Sequence, residues 1–111
     1  MKLIIAIVQD EDSSRLVSQL MKNGYGVTKL ATTGGFLRAG NTTLLIGVDD
    51  DKLHAAMELI EHVCKSRKQV TTAPTAMGTM GGMAGAASYP VEVTVGGATV
   101  FVLSVDQFIK L

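Results

Sequence analysis

Apolar residues along this chain recur in two periods, and the places where the period changes divide it into elements. Residues 3–8, Leu-Ile-Ile-Ala-Ile-Val, form an unbroken apolar run rich in β-branched side chains, the pattern of a central strand covered on both faces. Asp10, Glu11, Asp12, Ser13 and Ser14 follow; acidic and hydroxyl side chains there cap the free N–H groups of a helix start and favour its dipole. Leu16, Val17, Leu20 and Met21 then recur at helical spacing, and Asn23-Gly24 closes the helix. A second strand is predicted over 27–31 and a third, with better alternation, over 42–48. Asp49, Asp50 and Asp51 open a second helix whose stripe is Leu53, Ala56, Met57, Ile60 and Val63, with Ser66-Arg67-Lys68 supplying cations at its end. A short strand fits 70–73. Residues 91–95 and 99–103 flank Gly96-Gly97-Ala98, which predicts a hairpin with a glycine turn.

The order β-α-β-β-α-β, with an extra strand from the final hairpin, is the ferredoxin-like α+β arrangement. Two helices cover one face of an antiparallel sheet. The other face also carries Val and Ile and has no third helix to cover it, so self-association is expected. At 111 residues the chain is expected to be a single domain.

Composition narrows the partners. The chain is 47% hydrophobic but only 5% aromatic, so its core must be largely aliphatic; ten basic side chains balance ten acidic ones. No basic surplus points to a nucleic-acid polymer. Cys64, the single cysteine, cannot form an internal disulfide, which fits a reducing compartment. The N-terminal apolar run is too short for a signal peptide, lacks a small-residue cleavage pattern and stops at Gln9-Asp10. No stretch approaches the roughly 20 apolar residues of a membrane span. A cytoplasmic location is expected.

Candidate chemistry concentrates in residues 32–41, Thr-Thr-Gly-Gly-Phe-Leu-Arg-Ala-Gly-Asn. Adjacent glycines let backbone N–H groups approach an anion closely, and Thr28, Thr32 and Thr33 add hydroxyl donors. Lys29 and Arg38 supply positive charge. Phe36 offers a face for stacking a base, worth about 1–3 kcal/mol per base in single-strand binders. Asn41 donates and accepts at once, which suits the adenine edge. Neither GxxxxGK[ST] nor GxGxxG is present, and a plain glycine turn competes with this reading at even weight.

Other candidates are weaker. His54 and His62 lie eight residues apart, whereas a metal pair on one helix face sits at i, i+4. Cys64 has no Cys or His at i±3 and reads as a buried thiol. The Asp10–Asp12 cluster suggests a metal or an acid–base pair, but helix capping accounts for it. No GxSxG elbow occurs. No catalytic constellation is found, and no cofactor is expected. Residues 77–88, almost wholly Gly, Ala and Met, read as a loop that orders only with a ligand.

The stretches MKLIIAIVQDEDSSRL, TKLATTGGFLRAGNTTLLIGV and YPVEVTVGGATVFVLSVDQF together resemble the PII-like cyclic-di-AMP receptor family (PstA/DarA) of Gram-positive bacteria over nearly the whole chain. The resemblance implies a homotrimer of ferredoxin-like subunits that binds cyclic di-AMP in clefts between neighbours, performs no reaction, and signals to a protein partner through ligand-dependent loops. It assigns ligand contacts to Thr28, Gly35, Phe36, Leu37, Asn41 and Gly47, with Gly34 in the same motif and Phe101 reaching the second base from the adjacent subunit. Two departures stand out. The family commonly reads Asn-Phe-Arg where this chain has Gly24-Tyr25-Gly26, so a cation near the ligand is absent at position 26. The loop after residue 76 is longer and more apolar than the usual Pro-Met-Gly-Gly followed by a tyrosine-containing polar stretch. A PII-like sensor of another nucleotide such as ATP or ADP, or an unliganded interaction protein, is the alternative. A small metal-dependent enzyme using Asp10–Asp12 is a third.

Overall fold

The computed structural model describes residues 1–30, 40–74 and 88–111, the side chains of 71–74, 88 and 89 excepted. These residues divide into two compact units, Met1–Lys65 with Gly96–Leu111, and Ser66–Val95. The first unit runs β1 (Lys2–Gln9), α1 (Asp10–Lys22), β2 (Gly26–Leu30), β3 (Asn41–Val48), a short 3-10 turn (Asp50–Lys52), α2 (Leu53–Cys64) and β6 (Ala98–Ser104). The second holds β4 (Arg67–Pro74) and β5 (Ser88–Val95).

In the first unit the sheet order is β2-β3-β1-β6, and each neighbouring pair is antiparallel. Both helices cover one face, which gives the expected ferredoxin-like arrangement. Side chains alternate across a strand, so Ile4, Ala6, Val8, Leu44, Ile46 and Val48 turn inward. They meet Leu16 and Leu20 of α1 and Ala56, Ile60, Val63 and Cys64 of α2. The core is aliphatic, as the composition implied.

The helix boundaries carry a correction. Asp10, Glu11 and Asp12 occupy the first turn of α1, but the N-cap is Gln9 and no side chain caps the helix. The acidic residues favour the dipole from within the turn. Asp12 is buried beside Arg15 at 3.5 Å, and Arg15 donates to the Val63 carbonyl oxygen at 2.8 Å, joining α1 to the end of α2. At the other end of α1, Tyr25 N–H reaches the Leu20 oxygen and Gly24 N–H the Met21 oxygen, each at 3.0 Å. With Gly24 at φ 85°, this is the Schellman closure that Asn-Gly predicted. Arg67 and Lys68, expected at the end of α2, instead begin β4.

The predicted hairpin does not form. β5 pairs with β4, from Arg67 opposite Val95 to Pro74 opposite Ser88. β6 pairs with β1, from Lys2 opposite Ser104 to Val8 opposite Ala98. Gly96 and Gly97 take φ of 84° and 89°, a region that side-chain-bearing residues avoid, and so connect two sheets rather than turn within one. Local pattern reads strands and a glycine break correctly but does not choose the partner. Within the second unit, Lys68 and Glu92 pair at 3.2 Å, and Val91, Val93 and Val95 are half-buried while Glu92 and Thr94 are exposed. Among the described residues no helix is long and apolar enough to cross a membrane.

Candidate functional site

The sheet register shows which of the expected ligand residues share a surface. Ile5, between the inward-facing Ile4 and Ala6, points away from the helices. The row through it reads Thr28 on β2, Leu45 on β3, Ile5 on β1 and Phe101 on β6. Two residues along, Gly26, Gly47, Leu3 and Leu103 form the next row on the same side. At the far end Asn41 stands opposite Gln9. Thr28, Asn41, Gly47 and Phe101 therefore all lie on the helix-free face. Phe101 is 52% exposed and Leu103 46%, which leaves a large aromatic and an aliphatic side chain on the surface.

Spacing along this face separates the four into groups. Thr28 is a diagonal cross-strand neighbour of Gly47, about 7–8 Å away. Phe101 shares Thr28's row three strand spacings across, about 14 Å. Asn41 and Gly47 are six residues apart on one strand, about 20 Å. One subunit cannot bring Asn41 and the Gly47 backbone to the same base edge. Gly34, Gly35, Phe36 and Leu37 lie outside the described residues, as do Thr32, Thr33, Arg38 and residues 77–87 of the expected loop.

Gly26 and Gly47 face each other across β2 and β3. A Cβ added to either would meet nothing within 4 Å. Among the described residues no crowding requires glycine there, and the pair leaves bare backbone on the open face.

Lys29 does not join this surface. It pairs with Leu44, an inward residue, and lines a depression of about 600 Å³ with Ser14, Val17, Ser18, Met21 and Lys22 of α1. Lys29, expected to supply positive charge beside the loop, thus lies on the opposite side of the sheet from Thr28 and Gly47.

Asp10 holds Gly40 and the start of β3. Its N–H donates to the Gly40 oxygen at 2.7 Å, its carboxylate accepts from the Thr42 hydroxyl, and its own carbonyl accepts from Ser13 Oγ at 2.9 Å. Gly40 sits at φ 96°, where glycine relieves strain. Asp10 is thus an anchor for the start of β3 rather than a side-chain cap. Among the described residues, no group of three His, Cys, Asp or Glu side chains could hold a metal. His54 is exposed and pairs with Glu58 at 2.9 Å, and Cys64 is buried.

Asn41 lines a depression of about 270 Å³ with Ile7, Gln9, Gly96, Gly97, Ala98 and Thr99. Reading the sequence alone missed Gln9 and the Gly96-Gly97 contribution. The available signal was Gln9 itself, the polar residue that ends an apolar strand.

Fold and surface define the class: a ferredoxin-like, PII-like α+β domain whose open sheet face carries four of the candidate ligand residues, Thr28, Asn41, Gly47 and Phe101. The family model described as cyclic-di-AMP receptor matches residues 1–111, the whole chain. The chain belongs to that family. It is also similar to the crystal structure of a functionally unknown protein from Pediococcus pentosaceus ATCC 25745, with 41% identity, a TM-score of 0.78, and coverage of 99% of this chain and 96% of that one.

Proposed function

We propose that the chain, acting as one receptor domain over 1–111, binds cyclic di-AMP between the subunits of a homotrimer and reports its occupancy to a protein partner. The observation that carries this reading is the separation of Asn41 from Gly47 on one strand in a chain matched throughout by a cyclic-di-AMP receptor family. Residues about 20 Å apart serve one compact ligand when they come from two copies. The exposed Phe101 and Leu103 and the half-buried Leu3, Ile5 and Leu45 supply an apolar face for those copies to share.

Phe36 and Leu37 stack against one adenine and Asn41 reads its edge. Thr28 and the Gly34-Gly35 amides hold phosphate, and Gly47 and Phe101 meet the second half of the ligand. Signalling requires the ligand to bind the ordered state of the 32–40 and 77–88 loops more tightly than the disordered one. The binding chemistry uses no metal, cofactor or catalytic step.

Calorimetric titration of the full chain with cyclic di-AMP should saturate at micromolar concentrations. Phe36→Ala and Asn41→Ala should each weaken binding about tenfold, near 1.4 kcal/mol, while His54→Ala should leave it unchanged. A titration without heat or saturation removes the ligand assignment. A second reading, a sensor of another nucleotide such as ATP or ADP, draws on Gly26, which leaves its row without a cation, and on Lys29 facing the helices. Thermal shifts across mono- and dinucleotides separate the two, because only a ligand of the folded state raises the melting temperature.

A further inference from the structure

Gln9 stands where three parts of the first unit meet. It lies directly across from Asn41 in the β1–β3 register, and both residues line the same depression as Gly96, Gly97 and Thr99. The Gly96 N–H donates to Gln9 Oε1 at 2.8 Å. Since a backbone N–H must find an acceptor, this bond fixes which end of the carboxamide faces Gly96. The two N–H bonds of Nε2 remain, and no described residue accepts from them. The next residue, Asp10, holds Gly40 and Thr42. The end of β1 therefore grips both the start of β3 at Asn41 and the Gly96-Gly97 link, whose N-terminal neighbour Val95 ends the second unit.

We infer that Gln9 is a ligand-contacting residue that also positions the Gly96-Gly97 link. Its Nε2 donates to a ring-nitrogen acceptor of the purine base whose amino edge Asn41 reads, while Oε1 holds the Gly96 N–H. This rests on the receptor reading above for the ligand and extends it to a residue outside the expected contact set. Two carboxamides side by side offer paired donors and acceptors, which match a base carrying an amino group beside ring nitrogens. Hydrogen bonds made by the two ends of one amide polarise each other in the strengthening direction. Ligand at Nε2 thus tightens the bond to Gly96, the residue that follows the end of β5 in the chain.

The test combines amide hydrogen exchange at Gly96 with calorimetry on the full chain, for wild type, Gln9→Glu and Gln9→Ala, using cyclic di-AMP as the probe. Circular dichroism should show that all three fold. In wild type the Gly96 amide is protected, and ligand slows its exchange further. Gln9→Glu keeps an acceptor and so keeps the basal protection, but loses the donor and binds at least tenfold more weakly. The weakening persists in about 0.5 M salt, where repulsion between the new carboxylate and the phosphates is screened. Gln9→Ala loses both the protection and the affinity. Wild-type affinity in Gln9→Glu, or a weakening that salt abolishes, overturns the donor role. An unprotected Gly96 in wild type, or protection that survives in Gln9→Ala, overturns the positioning role. If wild type binds no cyclic di-AMP, the receptor reading and the donor role fall together, while the exchange comparison still decides whether Gln9 holds the link.

Discussion

Leu44 and Leu45 are neighbours on β3, identical in chemistry and opposite in surroundings. Leu44 is fully buried between the sheet and the two helices. Leu45 is half-buried on the face without helices, in the row that carries Thr28 and Phe101. The covered face is completed by the chain itself: Ile4, Ala6, Val8, Leu44, Ile46 and Val48 all find partners on α1 or α2. The open face collects exposed aromatic and aliphatic side chains together with the bare backbone of Gly26 and Gly47. One sheet thus packs one side against its own helices and leaves the other open.

The largest effect should come from the paired substitution of those leucines. Leu44→Ala should cost about 2–5 kcal/mol in urea denaturation, the cost of a cavity in a packed core. Leu45→Ala should cost about 1 kcal/mol within the subunit, and sedimentation should show it shifting the protein toward smaller species. Equal destabilisation by the two, with no change in assembly, would mean that the open face is not an interface.

Gly47→Ala sharpens the same contrast. A methyl group there meets nothing within 4 Å among the described residues, and replacing a strand-interior glycine by alanine favours the fold by about 0.5–1 kcal/mol. The melting temperature should therefore hold or rise slightly, while cyclic di-AMP affinity measured by calorimetry falls about tenfold. Unchanged affinity would show that nothing approaches this backbone closely.

The smallest effect belongs to Asp50, which lies on neither face. Its carboxyl is held below the usual carboxylate range, first by a hydrogen bond from the Met1 amino group and then by that group's charge, at 3.1 Å. A carboxyl lowered in the folded state contributes stability above its unfolded pKa and loses it as pH falls through the folded one. Because Asp50 is exposed, solvent screens the pair. Asp50→Asn should leave the neutral-pH urea midpoint unchanged and remove only a slight decline on the acid side. A clear shift at neutral pH would mark this pair as structural.

Much of this was legible from periodicity. The first strand, both helices, the Asn23-Gly24 closure and the third strand follow from local rules that act over a few residues: alternation, the 3.6-residue stripe and the left-handed preference of glycine. The family was equally visible, because a resemblance is carried by residue identity. Three things were not. The glycine break at 96–97 was read as a hairpin turn, although β6 pairs with β1, some ninety residues earlier in the chain. Lys29 was grouped with the ligand loop beside it in sequence, although strand alternation turns it to the other side of the sheet. Gln9 drew no notice, because a polar residue ending a strand is ordinary until Gly96 is found on its side-chain oxygen.

The sequence by itself determined the elements, the ferredoxin-like class and the family, since each is encoded in short-range pattern or in motifs that survive being read as a line. Only the tertiary structure decided which strands pair, which side chains share the open face, and that Asn41 and Gly47 stand about 20 Å apart on one strand. Pairing and facing depend on contacts between residues remote in sequence, and no local period specifies the partner.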